Sequence, residues 1–177
     1  QNGGGLHFQR FAMEDAYKEG KLKAIGVSNF YPHTLVNFCS VVEITPAVNQ
    51  VELHPFFTQP HALEIMNEYH IQAEAWAPLG GGRYDAFNNE VLKEIAEKHN
   101  KSIGQVMLRW NVQRGVVVIP KSTHIERIKE NMDIWDFTLS EEEMHQISSL
   151  DKGYVGTAVK HFDTDFVKMV VSRKIHD

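Results

Sequence analysis

The amino-acid sequence predicts an α/β protein built on a parallel sheet. Short apolar runs alternate with longer amphipathic stretches, and each of four such runs is followed by at least one helical pattern. That order is the signature of right-handed βαβ units. Polar side chains gather where the apolar runs end, which is where parallel α/β folds bind ligands. A doubly wound sheet and part of a (β/α) barrel both satisfy these observations. No G-x-G-x-x-G follows any of the runs, so the dinucleotide fingerprint of the doubly wound option is missing. The glycines at 80–82 follow a strand pattern, but alone they are too unspecific to restore it.

The elements follow in order. "AMEDAYKEGK" (12–21) reads as a helix closed by Gly20 as its left-handed cap. "LKAIGVSNF" (22–30) reads as strand and loop. "PHTLVNFCSVV" (32–42) is helical, with Pro32 at a tolerated first-turn position. "PAVNQVELHP" (46–55) is a strand, "QPHALEIMNEYH" (59–70) a helix and "IQAEAWAPL" (71–79) a strand. "NNEVLKEIAEKHN" (88–100) and "SIGQVMLRWNVQRG" (102–115) are helices, the second opened by Ser102 and Gln105 at capping-box spacing. "VVVIP" (116–120) is the fourth strand and "IERIKENM" (125–132) a helix. "SEEEMHQISSL" (140–150) is the last clear helix, with Ser140 and Glu143 as a second capping box. The tail from Asp151 has no strong period.

A chain of 177 residues with 42% hydrophobic content suits one ordinary core. Residues 1–11, with three consecutive glycines, read as a linker or frayed end, and 12–177 as the folded unit. The net charge of −5 argues against a nucleic-acid or anionic-membrane surface. No apolar run reaches the length of a membrane-spanning helix. The single cysteine, Cys39, excludes an internal disulfide and fits a reducing cytoplasm. Its setting, "HTLVNFCS", suits a buried structural thiol better than a nucleophile. The histidines show no metal-ligand spacing, so no metal site is assigned.

The strand ends hold the candidate binding groups. Ser28 and Asn29 follow the first strand, Gln50 lies in the second, Trp76 ends the third, and Lys121, Ser122 and Thr123 follow the fourth. Gln50 can pair with a carboxamide, Trp76 can stack on a ring, and Lys121 with Arg127 can hold a phosphate. Together these groups suit a nucleotide. Singly, each has a plainer account: a helix cap for Ser28, a core amide pair for Gln50 beside Asn49, a core aromatic for Trp76, solvated cations for Lys121 and Arg127.

"KLKAIGVSNF", "PAVNQVELHP", "AEAWAPLG" and "GVVVIPKSTHIERIKEN", in that order, strongly resemble the C-terminal half of aldo-keto reductases. The match runs from about Ala12 to Asp151, with a weaker echo in "HFDTDFVKMV". The resemblance implies a TIM-type (β/α) barrel, of which this chain is the second half, about four β/α units. It implies NADP(H) as cofactor and hydride transfer between nicotinamide and a carbonyl or alcohol. Ser28, Asn29 and Gln50 would hold the nicotinamide carboxamide, and Trp76 would stack on its ring. Lys121, Ser122, Thr123 and Arg127 would grip the adenosine 2′-phosphate, and Asn131 the adenine.

The family's Asp, Tyr, Lys and His come from the first half of its barrel, and their motifs are absent here. Tyr17, Tyr31, Tyr69, Tyr84 and Tyr154 stand in other contexts, and His54 ends a different strand. No catalytic residue is assigned, and this chain alone is expected to be inactive. A non-enzymatic half-barrel that binds NADP or a protein partner is the alternative, and another phosphate-binding α/β enzyme using Lys121 is a third reading. Four strands would leave open edges at "KAIGV" and "VVVI", and would leave inward residues such as Val48, Val51, Ala75, Val117 and Ile119, or their alternates, uncovered. Self-association, or pairing with a missing N-terminal half, is the corresponding expectation. For a complete protein, the resemblance implies a small-molecule carbonyl substrate.

Overall fold

The structure is a computed structural model that describes residues 12–153 and 163–172. The expected linker at 1–11, and Tyr154, lie outside the described residues. Four strands form one parallel sheet in the order β1 (Gly26–Ser28), β2 (Val48–Glu52), β3 (Gln72–Trp76) and β4 (Val117–Val118). Helices follow each strand. α1 covers 12–18, ahead of β1. α2 (Pro32–Cys39) joins β1 to β2, and α3 (Pro60–Glu68) joins β2 to β3. α4 (Glu90–His99) and α5 (Ile103–Gln113) lie between β3 and β4, and α6 (Ile125–Met132) and α7 (Glu141–Ser148) follow. Among the described residues no helix is long and apolar enough to cross a membrane.

The helix ends form for local reasons. Asn89 accepts from the Leu92 backbone N–H at 3.1 Å to open α4, and Asn100 in the left-handed region closes it. Ser102 and Gln105 form a complete capping box on α5, as Ser140 and Glu143 do on α7. The tail differs from expectation, because α8 (Thr164–Ser172) is helical. Asp163 explains its start: its carboxylate accepts from the backbone N–H groups of Asp165 and Phe166. None of the described α8 residues is buried, so no core-facing stripe announced it.

Strand alternation sorts the sheet into two faces. Val51, Ala73 and Ala75 belong to the core under the helices, with Leu35, Met66, Leu92, Val106, Met107 and Trp110. Val51 and Ala75, expected to be uncovered unless their alternates were, are instead fully buried on the helix side. Their alternates face the other way. Gln50 pairs in register with Glu74, and Glu74 with Val117, which places these three on the opposite face. Val117 and Ile119 are 43% and 44% exposed there. Cys39 is half-buried, and burial pushes its thiol up, as suits a structural thiol rather than a nucleophile.

A buried ion cluster ties α4 to α7. The Glu143 carboxylate, 4% exposed, accepts from Lys98 Nζ at 2.7 Å and from the Ser140 backbone N–H at 2.7 Å, and touches His99 Nε2 at 3.0 Å. Burial pushes this carboxyl up, but Lys98, Ser140 and His99 together hold it at about 2, against an ordinary 4.5. A depressed carboxyl stabilises the fold above its unfolded value, and that stability disappears as pH falls through its folded value. The cluster is thus fully effective above about pH 4.5 and lost toward pH 2. Glu143→Gln is expected to cost up to about 3 kcal/mol at pH 7, with water around Lys98 reducing that figure. Urea unfolding at pH 7, 4 and 3 checks this: the variant should lose its pH dependence in that window, and a parallel loss in both proteins would refute it.

Candidate functional site

The strand ends build two neighbouring groups of polar side chains. In the first, Ser28 and Gln50 are register partners on β1 and β2. Ser28 Oγ donates to the Gln50 carbonyl at 3.0 Å and accepts from Asn29 Nδ2 at 3.1 Å. Asn29 sits at φ 60°, a left-handed position that Asn tolerates, and its backbone N–H also donates to the Gln50 carbonyl, at 2.8 Å. Trp76 Nε1 donates to Asn29 Oδ1 at 2.8 Å, bringing the end of β3 onto the end of β1. Gln50 Nε2 donates to Glu74 Oε1 at 2.6 Å. The four residues expected to hold a nicotinamide thus meet, with Glu74 as an unforeseen fifth.

Beside Trp76 the chain turns into the wall of a cleft of about 700 Å³. Ala77, Pro78 and Leu79 form one side; Lys121, Ser122, Thr123, Arg127 and Asn131 line the other. Ser28, Asn29, Gln50 and Trp76 do not line this cleft, so the two groups are adjacent rather than one cavity. Lys121 and Arg127 are exposed. Ser122 Oγ accepts from the His124 backbone N–H at 3.1 Å, which shapes the turn into α6 and holds that hydroxyl at the cleft. The neighbouring Glu130 also lines the cleft, and Ser102 Oγ donates to its carboxylate. Ser102 therefore caps α5 and anchors α6 at once.

A third cluster was missed by sequence reasoning. Glu52 and His54, both fully buried, lie 3.2 Å apart through Oε1 and Nε2 at the end of β2. Tyr84 packs on the His54 ring at 4.9 Å and stacks on Phe56 at 5.4 Å. Burial pushes the Tyr84 hydroxyl up, the Glu52 charge adds to this, and Arg83 opposes it. Every residue from Val51 to Gln59 is buried. Arg114 helps to fix that segment, donating to the Thr58 carbonyl at 2.7 Å while stacked 4.2 Å over Trp110. The signal available in the sequence was the alternation of Gln50, Glu52 and His54, which puts three polar groups on one strand face.

The arrangement offers an amide, a flat aromatic and two cations along the carboxyl ends of a parallel sheet. It fits a molecule with a ring at one end and a phosphate at the other.

The model of the aldo/keto reductase family matches residues 9–152. The chain is 51% identical over 142 residues to a 9,11-endoperoxide prostaglandin H2 reductase of Trypanosoma cruzi, covering 80% of this chain and 50% of that protein. It is 53% identical over 141 residues to a glyoxal reductase of Bacillus subtilis, again 80% and 50% of the two chains. The crystal structure of a Bombyx mori aldo-keto reductase in complex with NADP superposes with a TM-score of 0.77 at 34% identity, over 83% of this chain and 50% of that one. The chain therefore spans about half the length of the relatives it matches.

Proposed function

This chain belongs to the aldo/keto reductase family, and on that premise we propose that it carries the cofactor-binding part of an NADP-dependent oxidoreductase acting on a small carbonyl or alcohol. The observation that carries the reading is the cleft at the end of β4, where Lys121 and Arg127 face one space with Ser122, Thr123 and Asn131. A phosphate monoester in that space would take charge-assisted hydrogen bonds from both cations. Asn131 would serve the adenine, Ser28, Asn29 and Gln50 the carboxamide, and Trp76 the nicotinamide face. The bound cofactor supplies or accepts hydride. The residues of this chain would bind and orient it, and among the described residues none is placed to move the accompanying proton, so the catalytic acid is proposed to come from elsewhere. Fluorescence titration with NADPH and NADH tests the reading. NADPH should bind more tightly; absence of binding for both would sink it.

A second reading, a half-barrel that binds NADP or a partner without catalysis, is favoured by the exposed apolar edges. Ile125, Ile128 and Met132 form an unburied stripe on α6 beside the β4 edge, and Met13, Tyr17 and Leu22 are exposed near the β1 edge. Both edge strands present unpaired backbone groups. We expect the chain to self-associate or to pair with a segment supplying the first half of a barrel. Light scattering coupled to size exclusion decides: a well-behaved monomer near 20.3 kDa that binds no apolar dye would refute the expectation.

A further inference from the structure

Glu74 is an unusual occupant of a parallel strand. It lies at the middle of β3, half-buried, in register with Gln50 on β2 and Val117 on β4. Glutamate is depleted in strands, and a carboxylate taken out of water is costly unless it is paired. Among the described residues Glu74 joins no ion pair, and its side chain bonds to the neutral amide of Gln50, whose Nε2 donates to Glu74 Oε1 at 2.6 Å. That bond has a one-way polarity. A side-chain amide can turn end for end, because its oxygen and nitrogen are alike in size. A carboxylate only accepts. With the Gln50 amide reversed, two acceptors would face each other at hydrogen-bond distance. Glu74 therefore holds the Gln50 nitrogen toward β3 and leaves Oε1 on the other branch. Among the described residues no donor meets that Oε1.

Asn29 is fixed in the same manner with the opposite sign. The indole N–H of Trp76 only donates, and it donates to Asn29 Oδ1 at 2.8 Å. Asn29 Nδ2 is thereby turned toward Ser28 Oγ, 3.1 Å away, and its second N–H is left over among the described residues. Ser28 Oγ also donates to the Gln50 carbonyl, so it ties the two amide residues together. The strand ends thus hold one amide with a spare acceptor and one with a spare donor. A primary carboxamide presents the complementary pair, an amino group that donates and a carbonyl that accepts. We propose, on the reading of these strand ends as part of an NADP(H) site, that Glu74 is a positioning residue: it sets the direction of the Gln50 amide so that Gln50 Oε1 accepts from the carboxamide amino group of the cofactor. Glu74 acts through Gln50 and need not touch the cofactor itself. Its place in the strand follows from that task, since a neutral residue of the same shape would leave the direction of the amide open.

The test is binding by the 177-residue chain of three ligands: NADP, its acetylpyridine analogue and adenosine 2′-monophosphate. In the analogue a methyl replaces the carboxamide amino group, and adenosine 2′-monophosphate lacks the pyridine altogether. The unaltered chain should prefer NADP to the analogue by about 3–10-fold, the size of one neutral hydrogen bond. In Glu74→Gln the preference should shrink to below about 1.5-fold, because a glutamine accepts or donates and lets Gln50 turn its amide to suit either ligand. Glu74→Met, which offers Gln50 no polar partner of fixed sign, should shrink it likewise. Adenosine 2′-monophosphate should bind both variants as it binds the unaltered chain. A preference unchanged in both variants would overturn the proposal, and so would an equal loss for all three ligands, which would mark Glu74 as a support of the sheet. If the unaltered chain binds NADP without distinguishing the analogue, the proposal falls while the cofactor reading stands. If it binds none of the three, the cofactor reading itself fails and takes this inference with it.

Discussion

The purified chain is expected to bind NADPH and to reduce no aldehyde at a measurable rate. General acid catalysis commonly contributes about 10²–10⁴-fold, and it needs a proton donor poised near the working pH and within reach of the carbonyl. Among the described tyrosines, Tyr17 is on α1, Tyr31 precedes α2 and Tyr69 follows α3, all on helix ends or faces rather than at strand ends. Tyr84 alone stands beside the strand-end cluster. Burial and the Glu52 charge push its hydroxyl up, away from the depressed value an activated phenol requires. Among the described residues the lysine beside it is Lys152, whose ammonium lies 5.9 Å over the ring rather than at the hydroxyl. The assay is NADPH oxidation with a generic aldehyde. Robust turnover that disappears in Tyr84→Phe would show that the acid lies in this chain after all. Turnover restored only by adding a segment with the missing half would support the proposed division of labour.

Arg127→Ala is expected to weaken NADPH by about 10–100-fold and to leave NADH within about twofold. An ionic hydrogen bond contributes roughly 1.5–3 kcal/mol, and every 1.4 kcal/mol is a factor of ten. Arg127 is exposed at the cleft, so the lower end applies at high salt, where screening is stronger. The selectivity follows from chemistry, since only NADPH carries a 2′-phosphate for the guanidinium to grip. Equal losses for both cofactors would move Arg127 out of that role.

Much of the architecture is local and therefore readable from the chain. The bounds of α6 at 125–132, the capping boxes at Ser102 and Ser140, and the alternation of strands and helices depend on residues a few positions apart. The cations of the cleft are equally local, since Lys121 and Arg127 are brought to one space by a single turn and the helix that follows it. What the sequence by itself determined is thus the parallel β/α plan and the placing of two cations at one end of the cleft. The tertiary structure decided the rest, because it depends on register and on which strand face the helices cover. Period-two alternation separates Val51 from Gln50 but does not say which of them faces the helices. Gln50 meets Glu74 and Trp76 meets Asn29 only through the pairing of β1, β2 and β3, and Arg83 reaches Glu52 only because the loop after β3 folds back over the end of β2. The tie between Glu143 and Lys98 spans 45 residues. Contacts of that separation are set by how the layers pack, which no short stretch of sequence encodes.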